Sequence, residues 1–148
     1  MPQLYANLSK NGSIPEVSGG ILWADTLNRR FYLFGGEYYQ TPPDSYNLLS
    51  YDAIYNKWDS FGPPMTSVKP TAWGAGIGIA ERGEGYYYGG WQSNVTTSGW
   101  GTDAPAASST MVKYSMDGNL WTVYSGPDSI PRAEGEMIFI VSGNSFLL

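Results

Sequence analysis

The chain contains no cysteine and no histidine. Without cysteine there is no disulfide, no thiolate zinc site and no thiol nucleophile. Without histidine the commonest general base and metal ligand is missing. Neither a Ser-His-Asp nor a Cys-His assembly can be built from this chain alone. Charge is scarce as well. Charged residues make up 14% of the 148 positions, against about 25% in an average soluble domain. A net charge of −5 and a pI near 4.5 leave no basic footprint for nucleic acid. No apolar run approaches about 18 residues, so no segment reads as a membrane-spanning helix. The opening stretch from Met1 to Pro15 lacks the charged-then-apolar order of a signal peptide.

What the chain does hold is aromatic and turn-forming. Phe, Trp and Tyr make up 16% of it, with 12 tyrosines and 6 tryptophans, alongside 19 glycines and 10 prolines. Aromatic residues punctuated by Gly and Pro favour short strands and turns over helices. The same aromatic content can bury a core, which argues against disorder. No stretch shows a sustained 3.6-residue apolar period, so no long helix is expected.

The sequence repeats itself. Pro-x-x-x-Gly occurs at Pro15–Gly19, Pro70–Gly74 and Pro131–Gly135, the prolines standing 55 and then 61 residues apart. An aromatic run ending in a glycine pair follows twice, at Phe31-Tyr-Leu-Phe-Gly35-Gly36 and Tyr86-Tyr-Tyr-Gly89-Gly90. Tyr51 and Trp58 then stand seven apart, as do Tyr114 and Trp121. Leu4–Pro15 aligns without gaps on Leu120–Pro131, and Phe146–Leu148 falls on the strand that elsewhere ends in Gly-Gly. Both ends therefore fall inside a repeat, and the chain is expected to be a piece of a longer array. The expected units are the last strand of a preceding unit over 1–15, a full unit over 16–69, a second over 70–130, and the first half of another over 131–148.

Each full unit reads as four short strands. In the first unit these cover about Gly20–Ala24, Arg30–Phe34, Asn47–Tyr51 and Lys57–Phe61. In the second they cover about Ile77–Ala80, Gly85–Tyr88, Met111–Tyr114 and Leu120–Tyr124. Turn residues separate them, and Asp117-Gly118 between apolar runs is among the stronger hairpin signals.

The ordered set of Pro-x-x-x-Gly, aromatic run, Gly-Gly and Tyr-x6-Trp resembles the kelch repeat, and the resemblance covers nearly the whole chain. A kelch unit is one blade of a β-propeller. The resemblance implies an all-β fold of antiparallel four-stranded blades in an incomplete propeller. It also implies structural roles for Gly35, Gly36, Tyr51, Trp58, Gly89, Gly90, Tyr114 and Trp121: the aromatics in the blade cores, the glycines where backbone packs tightly. The units here are longer than the usual repeat, and the extra residues lie between Gly-Gly and Tyr. The Tyr/Trp/Gly-rich style is similar to kelch ectodomains of fungal cell-surface proteins.

Two connections carry the candidate binding residues. Glu37–Tyr46 holds Tyr38 and Tyr39; Trp91–Thr110 holds Trp91 and Trp100 and is long for a compact domain. Exposed aromatics on loops of a rigid scaffold suit a protein or glycan contact. The alternative is that they cover a blade edge. Asn7, Asn11 and Asn94 head the three glycosylation sequons. No catalytic set and no cofactor or metal site is expected. Glu134 and Glu136 flank Gly135 and would point to opposite faces of a strand, and Asp44, Asp103 and Asp128 lack calcium-loop spacing. Gly74, Gly76 and Gly78 lead into a strand pattern, not the helix N-terminus that a phosphate loop needs. The reading is a non-catalytic interaction module whose partners are other proteins or the remaining blades, with glycans as a second ligand class. The rival is a scaffold segment of a propeller enzyme, such as a galactose-oxidase-like oxidase with its site elsewhere. An extracellular or membrane-tethered ectodomain is the expected setting, with the cytoplasm as the alternative.

Overall fold

The computed structural model describes residue 12 and residues 14–39, 46–140 and 145–147. The strand expected within 1–15, with Asn7 and Asn11, lies outside the described residues, as does Asp44. The described residues hold no α-helix, only strands and one 3₁₀ turn at Ala80–Arg82. In chain order the strands are β1 (Val17–Ser18), β2 (Ile21–Asp25), β3 (Arg30–Phe34), β4 (Glu37–Tyr38), β5 (Leu49–Asp52), β6 (Lys57–Ser60), β7 (Ala75–Ile79), β8 (Glu84–Tyr88), β9 (Trp91–Gln92), β10 (Ala106–Ala107), β11 (Thr110–Ser115), β12 (Leu120–Ser125), β13 (Ile138–Ile140) and β14 (Ser145–Leu147).

Two four-stranded antiparallel sheets result, β2-β3-β5-β6 and β7-β8-β11-β12. A third, two-stranded pair, β13-β14, follows them. Neither large sheet closes into a barrel. The fold is thus all-β, an incomplete propeller.

The Tyr-x6-Trp spacing has a direct structural reading. Each pair closes a hairpin, and the register sets Tyr51 opposite Trp58 and Tyr114 opposite Trp121. Cross-strand partners share a face, so the rings meet, at centroid distances of 5.4 and 4.7 Å. Both tyrosines are buried, while both tryptophans are half-buried. In each hairpin the tyrosine hydroxyl also reaches the side-chain oxygen of an asparagine five residues on, Asn56 or Asn119. Both asparagines sit in the left-handed region, at φ 54° and 48°. The Asp117-Gly118 signal marks the right turn, but the left-handed residue is Asn119, one position later. Asn tolerates that conformation, and there its amide meets the Tyr114 hydroxyl.

The first strand of the second unit departs from expectation. It begins at Ala75, not Ile77, and Ala80 belongs to the 3₁₀ turn. Gly76 was expected ahead of the strand but lies inside it, as Gly78 does, where the neighbouring sheet comes close. A Cβ on Gly76 would stand 2.8 Å from Ile21 Cγ1, and one on Gly78 would stand 3.4 Å from the Trp23 Cα. A glycine inside a strand often marks such an approach.

The main core lies between the two large sheets. Trp23, Tyr32 and Phe34 of the first face Tyr87, Val112 and Tyr114 of the second. Trp23 is fully buried and stacks on Phe34 at 5.2 Å and on Tyr114 at 6.0 Å. Its indole N–H donates to the Tyr86 carbonyl at 3.2 Å. Ala75 and Tyr88, on the other face of the second sheet, pack with Met137, ahead of the final pair.

The glycine pairs join one unit to the next. All four of their residues have positive φ. Gly36 N–H donates to the Thr71 carbonyl at 2.9 Å, and Gly90 N–H donates to the Arg132 carbonyl at 2.8 Å. Thr71 and Arg132 each follow the proline of the next Pro-x-x-x-Gly. Gly-Gly and Pro-x-x-x-Gly are therefore two halves of one junction.

Candidate interaction surface

Strands that alternate in direction bring every second connection to the same end. The Gly-Gly pairs, the long connections after β3 and β8, and the segments leading into β2, β7 and β13 all gather there. The tight hairpins occupy the opposite end.

The two candidate loops are partly built into this end. Glu37–Tyr38 pairs with Val17–Ser18, and Trp91–Gln92 pairs with Ala106–Ala107. Trp91 also bridges Ala72. Tyr38 N–H donates to the Val95 carbonyl at 3.0 Å, tying one connection to the other. The Thr97 hydroxyl donates to the Pro70 carbonyl at 2.8 Å. Thr96 and Thr97 are buried, so the second connection is a buttress as well as a surface.

The four candidate aromatics separate accordingly. Tyr38 is half-buried, its ring edge-on to Tyr46 at 4.9 Å, and burial pushes its phenol pKa up. Trp100 is half-buried, its indole N–H donating to the Asp103 carbonyl at 3.1 Å. Tyr39 and Trp91 are exposed, by 74% and 38%. Asn94 is exposed at the turn of the loop, whereas Thr96 of its sequon is buried.

Sequence reading missed Trp73. It is 45% exposed and adopts φ 61°, rare for a bulky residue. Its N–H donates to the Gly19 carbonyl, and its own carbonyl accepts from Glu134 N–H, so it links three successive units. Its indole N–H donates to Glu37 Oε2 at 3.2 Å. The signal was present as the residue before Gly74 in Pro-x-x-x-Gly, but nothing local showed that this position needs a left-handed backbone.

Arg132 clamps the segment before the third unit. Its guanidinium donates to both Asp128 carboxylate oxygens, at 2.6 and 2.7 Å, and to the Tyr88 hydroxyl at 3.2 Å. The hydrogen bonds from Arg132, with one from Ile130 N–H, hold the Asp128 carboxyl down at about 2. A depressed carboxylate pKa favours the folded form above its ordinary range, and that contribution is lost as pH falls towards the folded value. The clamp should therefore persist at pH 4 and release towards pH 2. A carbon-detected NMR titration of Asp128 checks this. The midpoint should lie near 2 and rise to the ordinary carboxylate range in Arg132→Ala. An ordinary midpoint in the unaltered chain would refute the clamp.

Among the described residues, no group of three or more Asp and Glu side chains could hold a metal ion, and no helix is long and apolar enough to cross a membrane.

No family model matches the chain. It is 31% identical over 120 residues to a kelch repeat-containing protein of Arthroderma benhamiae, a match covering 71% of this chain and 18% of that protein. The chain thus spans under a fifth of that relative's length. The duplicated motif, the antiparallel four-stranded sheets and this similarity place the chain in the kelch-repeat β-propeller family.

Proposed function

We propose that the chain is a non-catalytic protein-interaction module within a larger propeller, and that its Gly-Gly end is the contact surface. Two large sheets and a two-stranded pair fall short of the four to eight blades with which propellers close. The observation that carries the surface is a coincidence of exposed aromatics and charge. Tyr39, Trp73 and Trp91 are exposed at this end. Among the described residues of its connections, Glu16, Glu37, Asp103, Asp128, Glu134 and Glu136 face only Lys69 and Arg132 as cations. Aromatic anchors carry a large share of interface energy, and a one-signed surface steers an oppositely charged partner. A basic protein segment is the matching ligand. A glycan is the second ligand class, because exposed Trp and Tyr rings stack on sugars. Exposed Asn94 is the proposed glycan acceptor if the chain is secreted.

The test compares two ends of one molecule. Partners captured by the full-length parent should be lost on Tyr39→Ala or Trp91→Ala, by about tenfold or more for a well-packed anchor. They should be kept on Tyr55→Ala, whose ring is exposed at the hairpin end. Binding should also weaken with added salt, because exposed charges are screened. Equal capture by all three variants would reject the surface.

A further inference from the structure

The two large sheets meet as peg and hole. A Cβ on Gly85 would stand 2.3 Å from Trp23 Cδ2, so Trp23 of the first sheet occupies the space that a side chain at position 85 would need. Gly85 lies opposite Tyr114, and Trp23 stacks on that tyrosine.

The first sheet has the same position and fills it differently. Phe31 lies opposite Tyr51, as Gly85 lies opposite Tyr114. The Phe31 ring packs on Tyr51 at 5.2 Å and on Trp58 at 5.6 Å. Alternation puts Leu22, Phe31, Tyr51 and Trp58 on one face, opposite to the face that bears Trp23. Leu22 on that face is 57% exposed. Here the hole is already filled by the sheet's own side chain.

We propose that this face of the first sheet docks another four-stranded kelch-type sheet, one with a small side chain where the first sheet carries Trp23. The inference rests on the larger-propeller reading above and adds a rule for which sheet can precede. The established interface between the two described sheets supports it by continuity. The same face of the second sheet is the one that the first sheet covers. Phe31 and a Trp23-like peg would need the same volume, and overpacking forces strain on a close-packed interior. The neighbour must therefore be small at the peg position.

The absence of cysteine supplies the reporter. Residues 15–69 are duplicated in frame ahead of Pro15, so that the added copy precedes the full chain from Pro15 at the natural spacing. Leu22→Cys is placed in the original copy only, and its rate of thiol labelling is measured. Three tandems are compared: one with the added copy unaltered, one with Trp23→Ala in the added copy, and one with an unaltered added copy and Phe31→Gly in the original. The first sets a peg against a filled hole, and labelling should stay as fast as in the single chain. The other two match in size, and labelling should slow by at least about tenfold, which corresponds to about 1.4 kcal/mol of protection. Equal slowing in all three would overturn the size rule alone. No slowing in any would overturn both the docking face and the larger propeller. The two matched tandems alter different residues, so a folding failure in one leaves the other to decide.

Discussion

Trp23→Ala is expected to unfasten the two large sheets from each other and to cost about 3–5 kcal/mol, the range for deleting a buried Trp or Phe side chain. Trp23 stacks on Phe34 within its own sheet and on Tyr114 across the interface, and its ring also meets Trp121 at 6.2 Å. Truncation would leave an opening over Gly85, which has no side chain to fill it. The Tyr86 carbonyl would also lose its indole donor. Domains are stable by only about 5–15 kcal/mol, so a loss of this size approaches the whole. Thermal melts followed at two wavelengths check it. Near-UV circular dichroism, which reports aromatic packing, should collapse well below the temperature at which the far-UV strand signal melts. A variant that melts in one transition, within a few degrees of the unaltered chain, would show that the sheets do not depend on this contact.

Gly89→Ala is the second large effect. Gly89 has φ 70°, which costs an L-residue about 1–2 kcal/mol. A Cβ there would also stand 2.2 Å from the Arg132 carbonyl oxygen, a backbone atom that cannot rotate away. To relieve that clash the chain would have to weaken the bond from Gly90 N–H to the same oxygen. It would also disturb the Gly89 carbonyl, which accepts from the Thr71 hydroxyl at 2.7 Å. The total should reach about 3 kcal/mol or more once overpacking is included. Gly62→Ala is the control. Gly62 has φ 79°, but a Cβ there would meet nothing within 4 Å. It isolates the conformational cost, and the two variants should differ by the cost of the junction clash. Equal melting temperatures would mean that Gly89 is required for its backbone angle alone.

The Gly-Gly motif shows how far the sequence could be read. The resemblance to the kelch repeat implied tight backbone packing at these glycines; in the structure all four hold positive φ. Their docking onto the residue after each proline was not legible. Gly36 and Thr71 are far apart in the chain, and no local pattern pairs them. Tyr-x6-Trp was more transparent, because both residues lie on one hairpin and turn length alone sets their register. The asparagine between them was equally readable, as Tyr-x4-Asn in both units, but the stronger Asp-Gly signal beside Asn119 drew attention one residue away. Gly76 misled for a related reason. Glycine suggests a loop when read locally, whereas here it admits Ile21 of the neighbouring strand.

The candidate surface divides in the same way. Its loops were recognisable from length and aromatic content. Which rings face outward was not, because exposure depends on what the other connection supplies. Tyr38 turns to Tyr46 and its backbone to Val95, while Tyr39, the next residue, stays exposed. Trp73 joins the surface only because its backbone bridges the units on either side.

Sequence by itself determined the four-stranded unit, its strand order and the all-β class. Those follow from aromatic runs and turn chemistry, which act over a few positions, and from the ordered motif set that resembles the kelch repeat. Only the tertiary structure decided how unit meets unit: the Trp23 peg over Gly85, the same position filled by Phe31 in the first sheet, and each glycine pair against the next proline. Those are matches of volume and of backbone donors between residues distant in the chain. No local preference can encode them until the sheets lie face to face.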